Sequence, residues 1–145
     1  MRLWMILIFS TIWLVACTVE PRPINFGHDD CELCKMKLMD ERFGAQLVTD
    51  KGRIFMFDDV NCMVMFMDSE EGRRHDYKYE LIVDYSNPGE LMDVHYTFFL
   101  KNENVRTPMN SEIIALPDEE TLDEFRDDLG GGIYLGWGEI LTQFK

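Results

Sequence analysis

The chain has 145 residues, with 27 acidic and 14 basic side chains and a formal net charge of −13 at pH 7. That balance leaves no basic stripe to neutralise phosphates, so it excludes nucleic acid as a partner and argues against lying on an anionic membrane face. The length suits one domain or two very small ones.

Residues 1–16 carry a single charge, Arg2, ahead of the apolar runs "LWMILIF" and "IWLVA". The run is shorter than the ~20 apolar residues that span a bilayer as a helix. A basic start, an apolar middle and small residues before a cut point describe a secretory signal peptide. Leu14-Val15-Ala16-Cys17 resembles a bacterial lipobox, which makes Cys17 the expected lipid anchor. The alternative is an ordinary signal followed by an unrelated cysteine. After cleavage 13 basic and 27 acidic side chains remain, a net −14. This suits a soluble body held near a membrane by its tether, with a partner that offers a basic docking patch. Plain solubility accounts for the charge equally well.

Lipidation of Cys17 leaves Cys31, Cys34 and Cys62. Three thiols cannot pair off completely, and exported thiols usually become disulfides. A bound metal is one reason for the odd thiol to persist.

Thr18 to Gly27, with two prolines, reads as an extended tether, so that residues 17–28 link the anchor to the folded body. "CELCKMKLMDERFG" has no clean period and reads as a loop with at most a helical turn. "AQLVT" and "RIFMF" are expected strands joined by an Asp50-Lys51-Gly52 turn. Val60, Met63, Val64 and Met67 recur at helical spacing, predicting a helix capped by Asp58 or Asp59 with Cys62 in its first turn. "KYELIVDY" alternates as a strand with one buried face. Ser86-Asn87-Pro88-Gly89 marks a boundary between a first module, 29–86, and a second, 87–145. Beyond it come the strand "VHYTFFL", a loop, the strand "EIIAL", a helix through "PDEETLDEFRDDL" stopped by Gly130-Gly131-Gly132, and a last strand "IYLGW". The expected fold class is α+β: two small ββαβ modules of similar pattern but no sequence identity, packed together because neither buries much core alone.

"CELCKM" carries the chemistry. A thiol–disulfide enzyme uses C-x-x-C at a helix N-terminus, after a strand; here the motif follows a proline-containing tether and no helix clearly starts at it. A structural zinc site needs four ligands: Cys31, Cys34 and Cys62, completed by His28, Asp58 or Asp59. A copper(I) site uses thiolates and thioethers, the soft ligands that select this ion, and Met36 favours it because methionine is a poor zinc ligand. A methionine is more often core filler. Of the ten, Met56, Met63 and Met67 fit core positions; Met39, Met65 and Met92 are undecided; Met36 and Met109 lie in loop-like segments flanked by polar residues.

The lipobox, Cys34-Lys35-Met36, Thr107-Pro108-Met109 and the "DLGGGIYLGW" region, in that order, resemble the NosL family over nearly all of the processed chain. "CELCKM…KGRIFMFDDVNC" resembles the C-x-x-C and F-D-D-x-x-C variant within that family. The resemblance implies two ββαβ modules and a lipid-anchored carrier of one copper(I) ion, facing the periplasm. It implies delivery to a copper-enzyme client or its assembly factors at the membrane, with nitrous oxide reductase the leading client. Cys34, Met36 and Met109 match the family's elements and are the first-rank ligands. Cys31 and Cys62 belong to the variant, as extra ligands or as a resting disulfide. Asn110 follows Met109 where many members have glycine.

Among the histidines only His28 is a candidate ligand; His75 reads as solvated in a charged loop and His95 as an outward-facing strand residue. The seven carboxylates of "DEETLDEFRDD" fall around the polar face of one helix rather than forming a catalytic pair. No nucleophilic triad, phosphate-binding loop or flavin motif is present, so an enzyme is not expected. The alternative function is a structural zinc-binding lipoprotein that acts as a protein-interaction module.

Overall fold

The computed structural model describes residues 18–144; the expected signal peptide, 1–16, and the expected anchor Cys17 lie outside the described residues. The fold is two antiparallel sheets, each with a helix. The first sheet begins with the hairpin β1 (Ala45–Thr49) and β2 (Ile54–Phe57). Ala45 pairs with Phe57 and Val48 with Ile54. The expected turn closes it: Gly52 takes φ +83°, in the left-handed region that favours glycine, and its N–H donates to Thr49 O at 2.9 Å. The helix α1 (Val60–Asp68) follows, then β3 (Tyr77–Val83), which pairs with β1.

The second sheet repeats the pattern with β5 (Phe98–Lys101), β6 (Ile113–Leu116), α2 (Glu119–Asp128) and β7 (Ile133–Leu135). The three unit strands are ordered β2-β1-β3 in the first sheet, which has a fourth strand beyond β3, and β6-β5-β7 in the second, so the first strand of each unit lies between the other two. The α+β class and the double ββαβ pattern are as the sequence implies. α2 ends as expected. Gly130 takes φ +76°, and the N–H groups of Gly130 and Gly131 close on Asp127 O and Arg126 O at 3.1 and 2.8 Å.

Five readings are corrected. Residues 22–28 are docked rather than a free tether. The Gln46 side chain, fully buried on β1, accepts from Arg22 N–H and donates to Arg22 O. Ile24 is buried, and Arg22 makes a two-pronged ion pair with Asp29 at 2.8 Å. One apolar residue among prolines has no period to reveal it. Second, the first sheet extends past residue 87. After Pro88-Gly89 the chain returns as β4 (Leu91–Asp93), which pairs with β3. Third, "VHY" is a 3₁₀ turn capped by Asp93, whose carboxylate accepts from His95 N–H, so the strand starts only at Phe98. Fourth, Trp137 is not the end of a strand but the start of α3 (Trp137–Gln143), whose one fully buried residue, Ile140, is too little signal for a helix. The expected alternation of β3 also fails at its end, where Leu81, Ile82 and Val83 are all buried. Ile82 and Val83 line a crevice with Ile113 and Ala115 of the second sheet, so that end of β3 is covered by the other module.

The sheets share one core. Leu47, Phe57, Val60 and Met63 of the first unit and Phe99, Ile113, Ala115 and Leu135 of the second belong to a single buried cluster. Each such side chain contributes about 1.5–3 kcal/mol relative to exposure, which is why two units stabilise what one would not. A second cluster lies under α2, with Leu122 buried against Leu100 and Ile114 and with Phe125 and Leu129 packed on its edge. Among the described residues no helix is long and apolar enough to cross a membrane.

Ile24→Ala tests the docking of the 22–28 segment. A free tether loses nothing, whereas the packed Ile24 should cost about 2–3 kcal/mol in urea-induced unfolding, the lower range for a buried isoleucine cut to alanine.

Candidate metal centre

The first ligand loop is a tight turn. Cys31 N–H donates to Met36 O at 2.7 Å, Lys35 N–H donates to Cys31 O at 3.0 Å, and Asp30 bridges to Lys37. Lys35 takes φ +62°, the reversal that turns the chain back immediately after Cys34. Glu32 N–H donates to Met56 O at 2.7 Å, fixing the loop to β2. The loop therefore stands beside the residues that follow β2: Asp58, Asp59 and, in the first turn of α1, Cys62.

Four side chains converge there. One donor atom from each of Cys31, Cys34, Asp58 and Cys62 lies within 4.8 Å of the other three. Thiolates bound at 2.3 Å around a tetrahedral centre stand about 3.8 Å apart, so the set closes on an ion with a shift of at most about an ångström. Cys31, Cys62 and Asp58 are buried and Cys34 is half-buried, so access is from the Cys34 side. The Cys34 thiol donates to Asp58 Oδ2 at 3.3 Å, while Asp58 Oδ1 is buried with no hydrogen-bond partner. An unsatisfied buried acceptor costs about 1–3 kcal/mol, and a cation beside it removes that cost.

The thiols are unequal. A hydrogen bond from Cys62 draws the Cys31 thiol down to about 6. The same contact, with burial, pushes Cys62 strongly up. Burial raises Cys34 to about 11. The set therefore favours the thiolate form of Cys31 over those of Cys34 and Cys62.

Two methionines lie on elements next to this set. Met36 is exposed and lines a mostly apolar depression that Asp58 and Pro108 also line. Met109 is half-buried against the shared core that holds Cys31 and Cys62. Its loop is tied to the first module by the start of α1. Asp59 accepts from Met109 N–H at 3.0 Å, Ser111 N–H at 3.4 Å and Ser111 Oγ at 2.6 Å, and the Asn61 amide donates to Met109 O at 2.9 Å. Asp59 occupies the cap position of α1 but makes no side-chain cap bond, contrary to the expected cap, because its carboxylate serves the other module. Neither Asp59 nor Asn61 was legible as a clamp, although two adjacent aspartates at a strand-to-helix junction are a signal that one has another task. Asn110 takes φ +60°, a conformation that glycine adopts freely and asparagine tolerates, so its substitution for glycine keeps the turn.

His28 lies outside the cluster, exposed, with Nδ1 3.3 Å from Phe26 O. His75 is not solvated as expected: its ring is half-buried against Phe55, centroids 5.3 Å apart. His95 is exposed, near Glu80.

Fold and donor set together define a small α+β protein with a sulfur-rich metal-ligand cluster at the seam of two modules. The NosL family model matches residues 23–143, and the chain belongs to that family. The fold is similar to the crystal structure of the copper chaperone NosL from Shewanella denitrificans, at 19% identity with a TM-score of 0.70, covering 88% of this chain and 99% of that one. No curated protein matches the chain significantly.

Asp59→Ala should lower stability by about 3 kcal/mol, because it leaves buried N–H groups without an acceptor. Hydrogen exchange localises the effect: the amides of Met109 and Ser111 should lose protection, while those of β1 and β3 keep their order relative to the global unfolding rate.

Proposed function

We propose that the protein is a copper(I) carrier that binds one ion through sulfur and passes it on by ligand exchange. The observation that carries this reading is the position of Cys34. It lies at the opening of a buried set of thiols, two residues from the exposed Met36, beside the loop that brings Met109 from the second module. Three thiols and two thioethers are the donors that select a soft monovalent ion. Membership of the NosL family and likeness in fold to a copper chaperone support the same reading. Cys34, Met36 and Met109 are the proposed exchanging ligands; Cys31 and Cys62 hold the ion from within. Neutral thioethers at the opening can be displaced one at a time by a recipient's ligands. The role is carriage rather than catalysis.

The likeness of Leu14-Val15-Ala16-Cys17 to a lipobox supports anchoring of the carrier through Cys17 on the periplasmic side of a bacterial membrane, close to the assembly factors of a copper enzyme. Nitrous oxide reductase is the proposed client, on the resemblance of Cys34-Lys35-Met36 and Thr107-Pro108-Met109 to the NosL elements.

One observation favours a second reading, structural zinc. Asp58 supplies the fourth donor beside three cysteines, and its second oxygen is unpartnered. The two readings separate on the thioethers and on folding. In an anaerobic competition against a coloured copper(I) chelator, the copper reading expects one-to-one binding. Cys34→Ser should weaken it at least about 100-fold, and Met36→Leu and Met109→Leu each about 10-fold, about 1.4 kcal/mol per decade. The zinc reading instead expects methionine variants with unchanged binding, zinc competing as well as copper, and loss of folding on chelation.

A further inference from the structure

Met39 has no role in the site as described, yet it is 71% exposed, and Met36, three residues before it, is 53% exposed. A single exposed methionine requires no explanation. Here both line one depression of about 150 Å³, together with Phe43, Asp58 and, from the second module, Pro108. Asp58 is itself 3% exposed, with Oδ2 taken by the half-buried Cys34 thiol and Oδ1 free of any partner. The depression thus has exposed, neutral thioethers on its lining and meets the thiol cluster through Asp58, which accepts from the half-buried Cys34 and stands within 4.8 Å of the buried Cys31 and Cys62 donors. A soft ion moving inward meets progressively more anionic and more enclosed ligands.

We propose that this depression is the port through which copper(I) enters and leaves, and that Met39 is its outer transfer ligand. The proposal rests on the copper(I) reading above. Loading begins as one nitrogen of the delivering chelator leaves the ion and the Met39 sulfur binds it. The Cys34 thiol then gives its proton to solvent as its sulfur replaces that chelator's second nitrogen and the first bicinchoninate leaves; the Cys31 and Cys62 sulfurs, any thiol proton going to solvent, replace the two nitrogens of the second, and Met39 is released. Copper stays cuprous throughout, so no oxidant or reductant takes part. Unloading is the reverse, with the recipient's ligand in place of the chelator.

The test is the rate of copper(I) transfer from its bicinchoninate complex to the reduced protein, followed anaerobically by stopped-flow absorbance and paired with the equilibrium affinity. Met39→Leu keeps volume and apolarity and removes only the sulfur. Loading should slow about tenfold, about 1.4 kcal/mol of barrier, while the dissociation constant stays within about twofold of wild type. Met39→Leu loading at the wild-type rate overturns the port. A matching loss of affinity also overturns it, because Met39 would then be a resident ligand. A wild-type protein that takes no copper(I) from bicinchoninate overturns the copper reading itself, and it does so at equilibrium, before any rate is compared.

Discussion

Asp58 and Asp59, neighbours between β2 and α1, are the pair on which the site depends. Asp59 keeps extended backbone angles, φ −151° and ψ 155°, and in extended chain successive side chains point to opposite faces. One carboxylate therefore reaches the thiols of the first module and the other reaches the Met109 loop of the second. Two adjacent residues thus hold Cys34 and the Met109 loop, 75 residues apart in sequence, to one short junction. Both carboxylates are nearly fully buried, so each must find donors or a cation. Asp59 finds three donors; Asp58 finds one, on one oxygen. The asymmetry separates a structural carboxylate from one with capacity left over.

The thiol cluster is built to hold less charge than it offers. Three thiolates and a carboxylate side by side would repel strongly in a buried setting, and the contacts within the set favour the charged form of Cys31 while disfavouring that of Cys62. Cys34 stays protonated as well, giving its hydrogen to Asp58. A cation replaces these protons as the neutralising charge, so binding and deprotonation are one event. The same arrangement explains why an odd number of thiols is tolerated. Cys34 has Asp58 as its hydrogen-bond partner, Cys31 and Cys62 are buried, and of the three only Cys34 reaches the surface.

Much of this was legible in the sequence, and what was not has a common cause. The β1–β2 turn, the apolar face of α1, the glycine stop of α2 and the C-x-x-C loop are local patterns, with period or punctuation that survives in one dimension. The meeting of Cys62 with Cys31 and Cys34 followed from counting ligands, and Asp58 stood among the candidates for the fourth. The misses are short or non-local. β4 has three residues, α3 one fully buried residue, and Ile24 is the one buried apolar residue of a segment held at Arg22 by a glutamine 24 residues later. The Asp59 clamp was read as a cap because capping is what an aspartate at that position does by default, and only the partner loop reveals the alternative.

The two modules show that default and its alternative side by side. In each unit two residues join the second strand to the helix: Asp58-Asp59 before α1 and Pro117-Asp118 before α2. Asp118 caps its own helix, accepting from Thr121 N–H at 2.8 Å. Asp59, at the same place in the repeat, leaves α1 without that bond, at a cost of about 1 kcal/mol. Asn61 recovers part of it by accepting from Cys62 N–H at 2.7 Å. The cap of one copy has been diverted across the seam, and the diversion brings the Met109 loop to the thiols. A single ββαβ unit could hold the cysteines, but it has no second loop to bring to them. The doubled fold is therefore required by the site's position at the seam, as well as by the need for a larger core.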